Sequence, residues 1–242
     1  MKDKHLTFNG RIVRSSGLIL TIPPKTPTFS GLRLPTEAEW NDERESWSSN
    51  DLEGALNSPL HLTAAGQRNG THGGFFGVGT SGHYWSSSAQ SSSAVRLDIF
   101  IDDAYTNGRV RGNGGSVRLI LDEENITLED FNNNYKNKTI FINGNEYGYC
   151  YNPTTNKVWL DRNLGATQVA TTLTDSDAYG DLFQWGRAAD GHEKRDSNTI
   201  TGQSTTAQPA HGDFIIGQTD WLTPQNDELW QGVEGINNPA NN

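Results

Sequence analysis

The sequence predicts an α+β domain with many irregular loops, preceded by a short N-terminal β-arm. Three observations point there. Short β-prone runs are separated by Asn-Gly, Pro and Gly turns, helix-start signatures are few and head short segments, and residues 66–93 are dense in Gly and Ser with isolated aromatics. The 242 residues suffice for one large or two small domains. Only 33% are hydrophobic, but seven tryptophans supply bulk. Each buries on the order of 150–250 Å², so a polar chain can still build a core.

Along the chain, Asn9-Gly10 between Leu6-Thr7-Phe8 and Arg11-Ile12-Val13 signals a hairpin with a type I′ turn. Residues 23–30 carry three prolines and read as a stiff linker, so residues 1–29 form an arm for attachment or oligomerisation. Thr36 and Glu39 have the spacing of a capping box, which starts a helix carrying Trp40, Arg44 and Trp47 on one face. The glycine-rich stretch 66–93 reads as loop on a scaffold. Val95, Leu97, Ile99 and Ile101 alternate with Arg96, Asp98 and Phe100, the period of a strand with one buried face, and Val117, Leu119 and Leu121 repeat it. Between them, residues 102–115 read as a displayed surface.

Residues 122–138 are acidic and then Asn-rich, and mark a connector. Beyond it a three-strand meander is expected: a hairpin over 139–151 turning at Asn143-Gly144, then a turn at 152–156 into Lys157-Val158-Trp159-Leu160. Residues 181–186 and 197–208 read as irregular. Thr223 as N-cap, Pro224 at the first helical position and Gly232 as a stop predict a short helix near 223–230.

Composition excludes several functions. With 19 basic against 29 acidic residues and a net charge of −10, the chain lacks the basic field that nucleic acid requires. One cysteine, Cys150, excludes an internal disulfide framework and a cysteine-rich zinc site. The longest apolar run, Leu18–Ile22, is far short of the roughly 20 residues of a membrane helix, and no signal-peptide core is visible.

Two blocks carry a family resemblance. Gly31-Leu32-Arg33-Leu34-Pro35-Thr36-Glu37-Ala38-Glu39-Trp40, His83-Tyr84-Trp85-Ser86-Ser87-Ser88 and Gly115-Ser116-Val117-Arg118-Leu119 resemble the C-terminal half of the Fibrobacter succinogenes major paralogous domain. That domain is similar to the formylglycine-generating-enzyme branch of the C-type-lectin-like fold. Val158 to Ala166, Tyr179 to Arg187 and Asp220-Trp221 to Trp230 resemble its N-terminal half.

The order is reversed, so the resemblance implies a circularly permuted domain over 30–242: residues 30–121 as the family's C-terminal half, 122–138 as connector and 139–242 as its N-terminal half. Exchange of halves between chains is the competing arrangement. Family members occur in phage virion and bacterial surface proteins, which implies a virion location. The arm Phe8-Asn9-Gly10-Arg11-Ile12-Val13 is similar to N-termini of phage structural proteins.

The chemistry expected of these residues is binding. Formylglycine-generating enzymes need active-site cysteines, and Cys150 stands alone, best read as a small core residue. The six histidines lack ligand spacing, so no metal is expected. Trp40-Asn41-Asp42 imitates a calcium-lectin triplet inside a helix. Asp102-Asp103 with Asn107 supplies oxygen ligands of the calcium type, although solvated acidic turns are commoner. Ser86, Ser87 and Ser88 with His83 lack a nucleophile elbow, and the carboxylate pairs Glu37/Glu39 and Asp227/Glu228 fall at helix starts. No catalytic residue is assigned.

Arg33 and Asp161-Arg162-Asn163 are expected to form a structural polar network, and Trp85, Trp159, Trp185, Trp221 and Trp230 a core. Tyr84, Arg96, Asp98, Phe100, Tyr105, Asn107, Arg109, Arg111 and Asn113 are expected mostly to face outward with the composition of a binding surface. Arg68, Asn69, His72, Phe75 and Phe76 form a second tier. The expectation is a non-enzymatic phage virion structural protein on a fibre, tail or capsid surface, displaying these loops to a host-surface glycan or protein. It would associate with other virion subunits and with copies of itself, without nucleic acid, cofactor or membrane insertion. The alternatives are a purely structural decoration or assembly protein, a bacterial surface adhesin, and a degenerate enzyme of the sulfatase-modifying type.

Overall fold

The computed structural model describes residues 31–241 and, before them, the short strands β1 (Thr7–Phe8), β2 (Arg11–Val13) and β3 (Ile19–Leu20). β1 and β2 pair antiparallel with Phe8 opposite Arg11, the register a two-residue Asn-Gly turn requires, and β3 adds to β2. The turn residues and the Pro-rich stretch 23–30 lie outside the described residues. The chain divides into Met1–Ser30 and Gly31–Asn242.

The second unit opens with β4 (Leu32–Arg33), α1 (Glu37–Glu45) and α2 (Leu52–Asn57). α1 begins at the expected capping box: Thr36 Oγ1 accepts from the Glu39 amide, and the Glu39 carboxylate accepts from the Thr36 amide. Trp40 is fully buried beside Trp159, ring centroids 5.0 Å apart, and Asn41 accepts from Thr106 on the outer side.

The glycine-rich stretch corrects the loop expectation, for it holds β5 (Gln67–Arg68), β6 (Phe75–Phe76) and the nine-residue β7 (Gly82–Gln90). Pairing overrides its low strand propensity. Small residues suit a crowded site here, and their hydroxyls are satisfied: Ser86 Oγ donates to the Val95 carbonyl at 2.8 Å, and Ser88 Oγ accepts from the Glu37 amide at 2.9 Å.

Next come β8 (Ser93–Ile99) and β9 (Ala104–Val110). β7, β8 and β9 form an antiparallel sheet with β8 in the middle. The alternation expected of β8 holds, with Leu97 and Ile99 in the core, but the opposite face is covered too and Arg96 and Asp98 are buried. Ile101 lies beyond the strand and is exposed. Residues 102–115 are likewise mostly strand, β9 followed by β10 (Gly114–Gly115).

β11 (Ile120–Leu121) is shorter than the expected strand; before it, the Val117 and Leu119 carbonyls accept from the Leu164 and Leu160 amides, and the buried Arg118 guanidinium donates to Leu60, Leu160 and Asn163. The connector holds α3 (Leu128–Asn134), whose Phe131 stacks on Tyr151 at 5.4 Å. β12 (Ile140–Ile142) and β13 (Asn145–Tyr147) form the expected hairpin, with Asn143 and Gly144 both at positive φ. β14 (Tyr149–Asn152) and β15 (Lys157–Leu160) do not continue it as a meander. They leave at Gly148 and join β11 and β4 in another sheet.

β16 (Phe183–Gln184), β17 (Thr199–Thr201) and β18 (Phe214–Ile216) give short order to segments read as irregular or unassigned. The helix expected at 223–230 is absent. Asn226 Oδ1 accepts from the Glu228 amide, the Asn226 carbonyl and Asp227 carboxylate turn toward Arg111, and Trp230 adopts a left-handed φ of 62°.

The architecture is mixed α and β: small, mostly antiparallel sheets with few helices. One core gathers Trp85, Trp185, Trp221 and Trp230, and a second gathers Trp40, Trp159, Tyr84, Leu97 and Ile99. Distant segments meet in both. Trp85 Nε1 donates to the Phe183 carbonyl, and Trp185 Nε1 donates to the Ser86 carbonyl, each at 2.8 Å. Among the described residues no helix is long and apolar enough to cross a membrane.

Candidate functional site

Directly opposed residues in antiparallel strands share a face. The register sets His83 opposite Asp98 and Trp85 opposite Arg96 across β7 and β8, and Tyr105 opposite Asp98 and Asn107 opposite Arg96 across β8 and β9. One face of the sheet is therefore unusually rich in polar and aromatic groups. The glycine-rich segment carrying β5 and β6 rises beside it and leaves a cleft of about 380 Å³, within the range of small-molecule sites. Its polar lining is Gln67, Ser81, His83, Arg96, Arg109 and Asn113, with Phe76 and Phe100 as apolar walls.

Asp98 organises this lining from behind. Its Oδ1 accepts from His83 Nδ1 and Arg96 Nε, each at 2.7 Å, and its Oδ2 accepts from Arg109 Nε at 2.6 Å. Burial alone would push this carboxyl up, but the His83 bond and the charges of Arg96 and Arg109 outweigh it and hold the group at about 2. With Asp98 ionised, His83 donates from Nδ1 and its Nε2 accepts from Ser81 Oγ at 2.9 Å. Burial pushes the His83 pKa down, with Arg96 and Arg109 adding to the effect, so the ring is neutral.

The walls are braced as well. Arg96 Nη1 donates to Gln67 Oε1 at 2.8 Å, tying β8 to β5. Asn113 Oδ1 accepts from the Gly70 amide at 2.9 Å and holds the tip of the glycine-rich segment. Phe100 meets His83 edge-on at 5.8 Å and packs on Tyr105 at 5.9 Å, while His72 packs on Phe76 at 5.4 Å.

The fourteen residues singled out by sequence divide clearly. Arg96, Phe100, Arg109, Asn113 and Phe76 converge on the cleft, with Tyr105 beside it and Asp98 behind it. Tyr105, Asn107 and His72 are exposed and Asn69 is half-buried, its Oδ1 accepting from the Thr71 amide. The outward expectation is corrected for several others. Tyr84 lies on the opposite face of the sheet, fully buried, with its hydroxyl bonded to the Thr63 backbone.

Arg111 is buried over the Trp185 ring at 4.4 Å and donates to Ser91, Ser93, Asn226 and Asp227. Arg68 is buried over Phe214 at 4.4 Å and bonds Gly73 and Ser197, with the Phe75 ring 5.5 Å away. In each case a guanidinium ties loops that lack regular structure. Arg33, paired with Glu39, and Asn163, held by Arg118, belong to the expected structural network. All five core tryptophans expected from sequence are fully buried.

Gln67 and Ser81 enter the cleft without a recruiting signal in the sequence, and His83, weighed there only beside Ser86, Ser87 and Ser88, faces Asp98 through the strand register. In the acidic turn, Asp103 Oδ1 accepts from the Asn50 side-chain amide and the Ala104 backbone amide. Among the described residues, Asp190, His192 and Glu193 form the one group with metal-ligating atoms within 4.8 Å. Both His192 nitrogens are already engaged, Nδ1 by Asp190 and Nε2 by the Gln184 amide. Cys150 is half-buried, its Sγ against the Leu160 carbonyl, and burial pushes its pKa up to about 12, far from a reactive thiolate.

Comparison with protein-family models, curated proteins and solved structures finds no match to this chain.

Proposed function

We propose that this chain is a non-enzymatic phage virion structural protein of the permuted C-type-lectin-like type, presenting the cleft of β7, β8 and β9 to a host-surface glycan from a fibre, tail or capsid surface. The observation that carries the binding role is the convergence of Arg96, Phe100, Arg109, Asn113 and Phe76 on one cleft. Aromatic walls and anchored hydrogen-bonding groups suit a saccharide, whose ring offers apolar faces and polar edges. The virion setting rests on the family resemblance. The permuted order is supported by the Asn238 Nδ2 bond to the Leu32 carbonyl at 2.8 Å, which joins the segment ending near Pro239 to the one starting at Gly31.

One observation favours hydrolysis as a second reading: Ser81 Oγ, His83 Nε2 and Nδ1, and Asp98 Oδ1 form a relay with steps of 2.9 and 2.7 Å. Two features weigh against it. Ser81 Oγ also lies 3.3 Å from the Gly77 carbonyl within its own turn, and Asp98 already balances two guanidiniums, so it gives little support to an imidazolium.

The test is a saccharide array probed with the purified chain, run beside turnover of p-nitrophenyl acetate. Saccharide binding without ester turnover is expected. Turnover abolished by Ser81→Ala would favour the hydrolase. A blank array, with multimers that dissociate when Arg109 or Tyr105 is replaced, would favour an assembly protein.

A further inference from the structure

The charges lining the cleft do not balance. Arg96 and Arg109 face it from adjacent strands, and none of the eight lining residues carries a carboxylate. Asp98 is fully buried behind them, and one carboxylate against two guanidiniums leaves one positive charge, His83 being neutral. This excess sits in a chain of net charge −10, so it is a local arrangement rather than a reflection of composition.

Arg96 is 2% exposed, and among the described residues its Nη2 has no hydrogen-bond partner, while Nε and Nη1 are bound to Asp98 and Gln67. Nη2 is a spare charged donor on the cleft wall, and an anion in the cleft would meet it with a charge-assisted hydrogen bond. Arg109 is more open, its side chain 31% exposed, and provides a second donor at the mouth.

We infer that the cleft takes a saccharide bearing a carboxylate, a uronic or sialic acid, with the acid group between Arg96 and Arg109 and the sugar ring between Phe76 and Phe100. This inference rests on the glycan-binding reading above and narrows it to one class. A single unbalanced positive charge matches a carboxylate monoanion better than a phosphate dianion.

The experiment compares uronate and sialyl oligosaccharides with their methyl esters by calorimetry, using the full chain. The ester keeps the ring and removes the charge. Charge-assisted hydrogen bonds predict that the free acids bind about 10- to 100-fold more tightly than the esters. Arg109→Gln, checked for an unchanged melting curve, is expected to erase that preference, so that free acid and ester bind the variant alike. Free acids and esters that bind equally would overturn the inference and leave glycan binding intact. Binding of polyglutamate with no saccharide bound, or a blank result with acidic and neutral saccharides alike, would overturn both.

Discussion

Asn238 Nδ2 donates to the Leu32 carbonyl at 2.8 Å, joining residues 206 positions apart, and the same amide reaches the Val233 carbonyl at 2.8 Å. The side chain is buried, and its Oδ1 accepts from the Ala240 amide. Asn238→Ala leaves the Leu32 carbonyl without this donor. The expected cost is about 1–3 kcal/mol, measured by urea unfolding with an unchanged m-value. A change below about 0.5 kcal/mol, as at an ordinary surface position, would show that this seam contributes little.

Arg118 acts similarly at the second core. Its Nη1 donates to the Leu60 carbonyl at 2.6 Å, and its Nε and Nη2 converge on Asn163 Oδ1. A lysine has one ammonium in place of the fork and cannot reach these acceptors together. Arg118→Lys is expected to lower stability by about 3 kcal/mol, with Arg118→Ala costing at least as much. Near-equal urea midpoints for Arg118→Lys and the unaltered chain would contradict the assigned role.

Glu39 gives a pH-dependent prediction. Burial would push it up, but Arg33, the Thr36 amide and Lys157 hold it at about 2, below its ordinary value. The unfolded chain therefore binds the proton first as pH falls. The stabilisation from Glu39 is complete above the ordinary glutamate range and is lost as pH falls through about 2. Glu39→Gln preserves the capping geometry but not the charge. The variant is expected to be less stable by about 2 kcal/mol at neutral pH, with the gap closing in acid. A gap that stays constant from neutral pH to about 2 would contradict the assignment.

Local features were legible in the sequence where the chain decides its own conformation. The Thr36/Glu39 box, the Asn143-Gly144 turn and the tryptophan core depend on neighbouring residues or on bulk apolar area, and all are present. The cleft was half legible. Arg96 and Asp98 were readable as one face of a strand, but not as buried, because their cover comes from Gln67 and the glycine-rich segment about thirty residues away. His83 becomes a site residue only through its register with Asp98. The expected helix at 223–230 lost to side-chain turns and to Arg111, a partner more than a hundred residues earlier.

Gly66 controls the wall that carries Phe76. Its φ is +70°, and an added Cβ would lie 2.5 Å from the Phe76 carbonyl oxygen and 2.7 Å from the Val78 amide. Both are backbone atoms, so the segment must move. Gly66→Ala is expected to destabilise by about 1–3 kcal/mol and to weaken saccharide binding by displacing Phe76. Unaltered affinity in a folded variant would show that this wall does not contact ligand.

The central claim is that ligand binds in the cleft between the β7–β9 sheet and the glycine-rich segment. The most direct measurement compares array-selected saccharide binding by the unaltered chain, by the double variant Phe76→Ser with Arg109→Gln, and by Phe141→Ser. Phe141 is a 70% exposed aromatic that does not line the cleft. The expected result is loss of binding in the double variant, with matched melting curves, and full binding in Phe141→Ser. Full binding in the double variant would contradict the account and move the ligand to another surface.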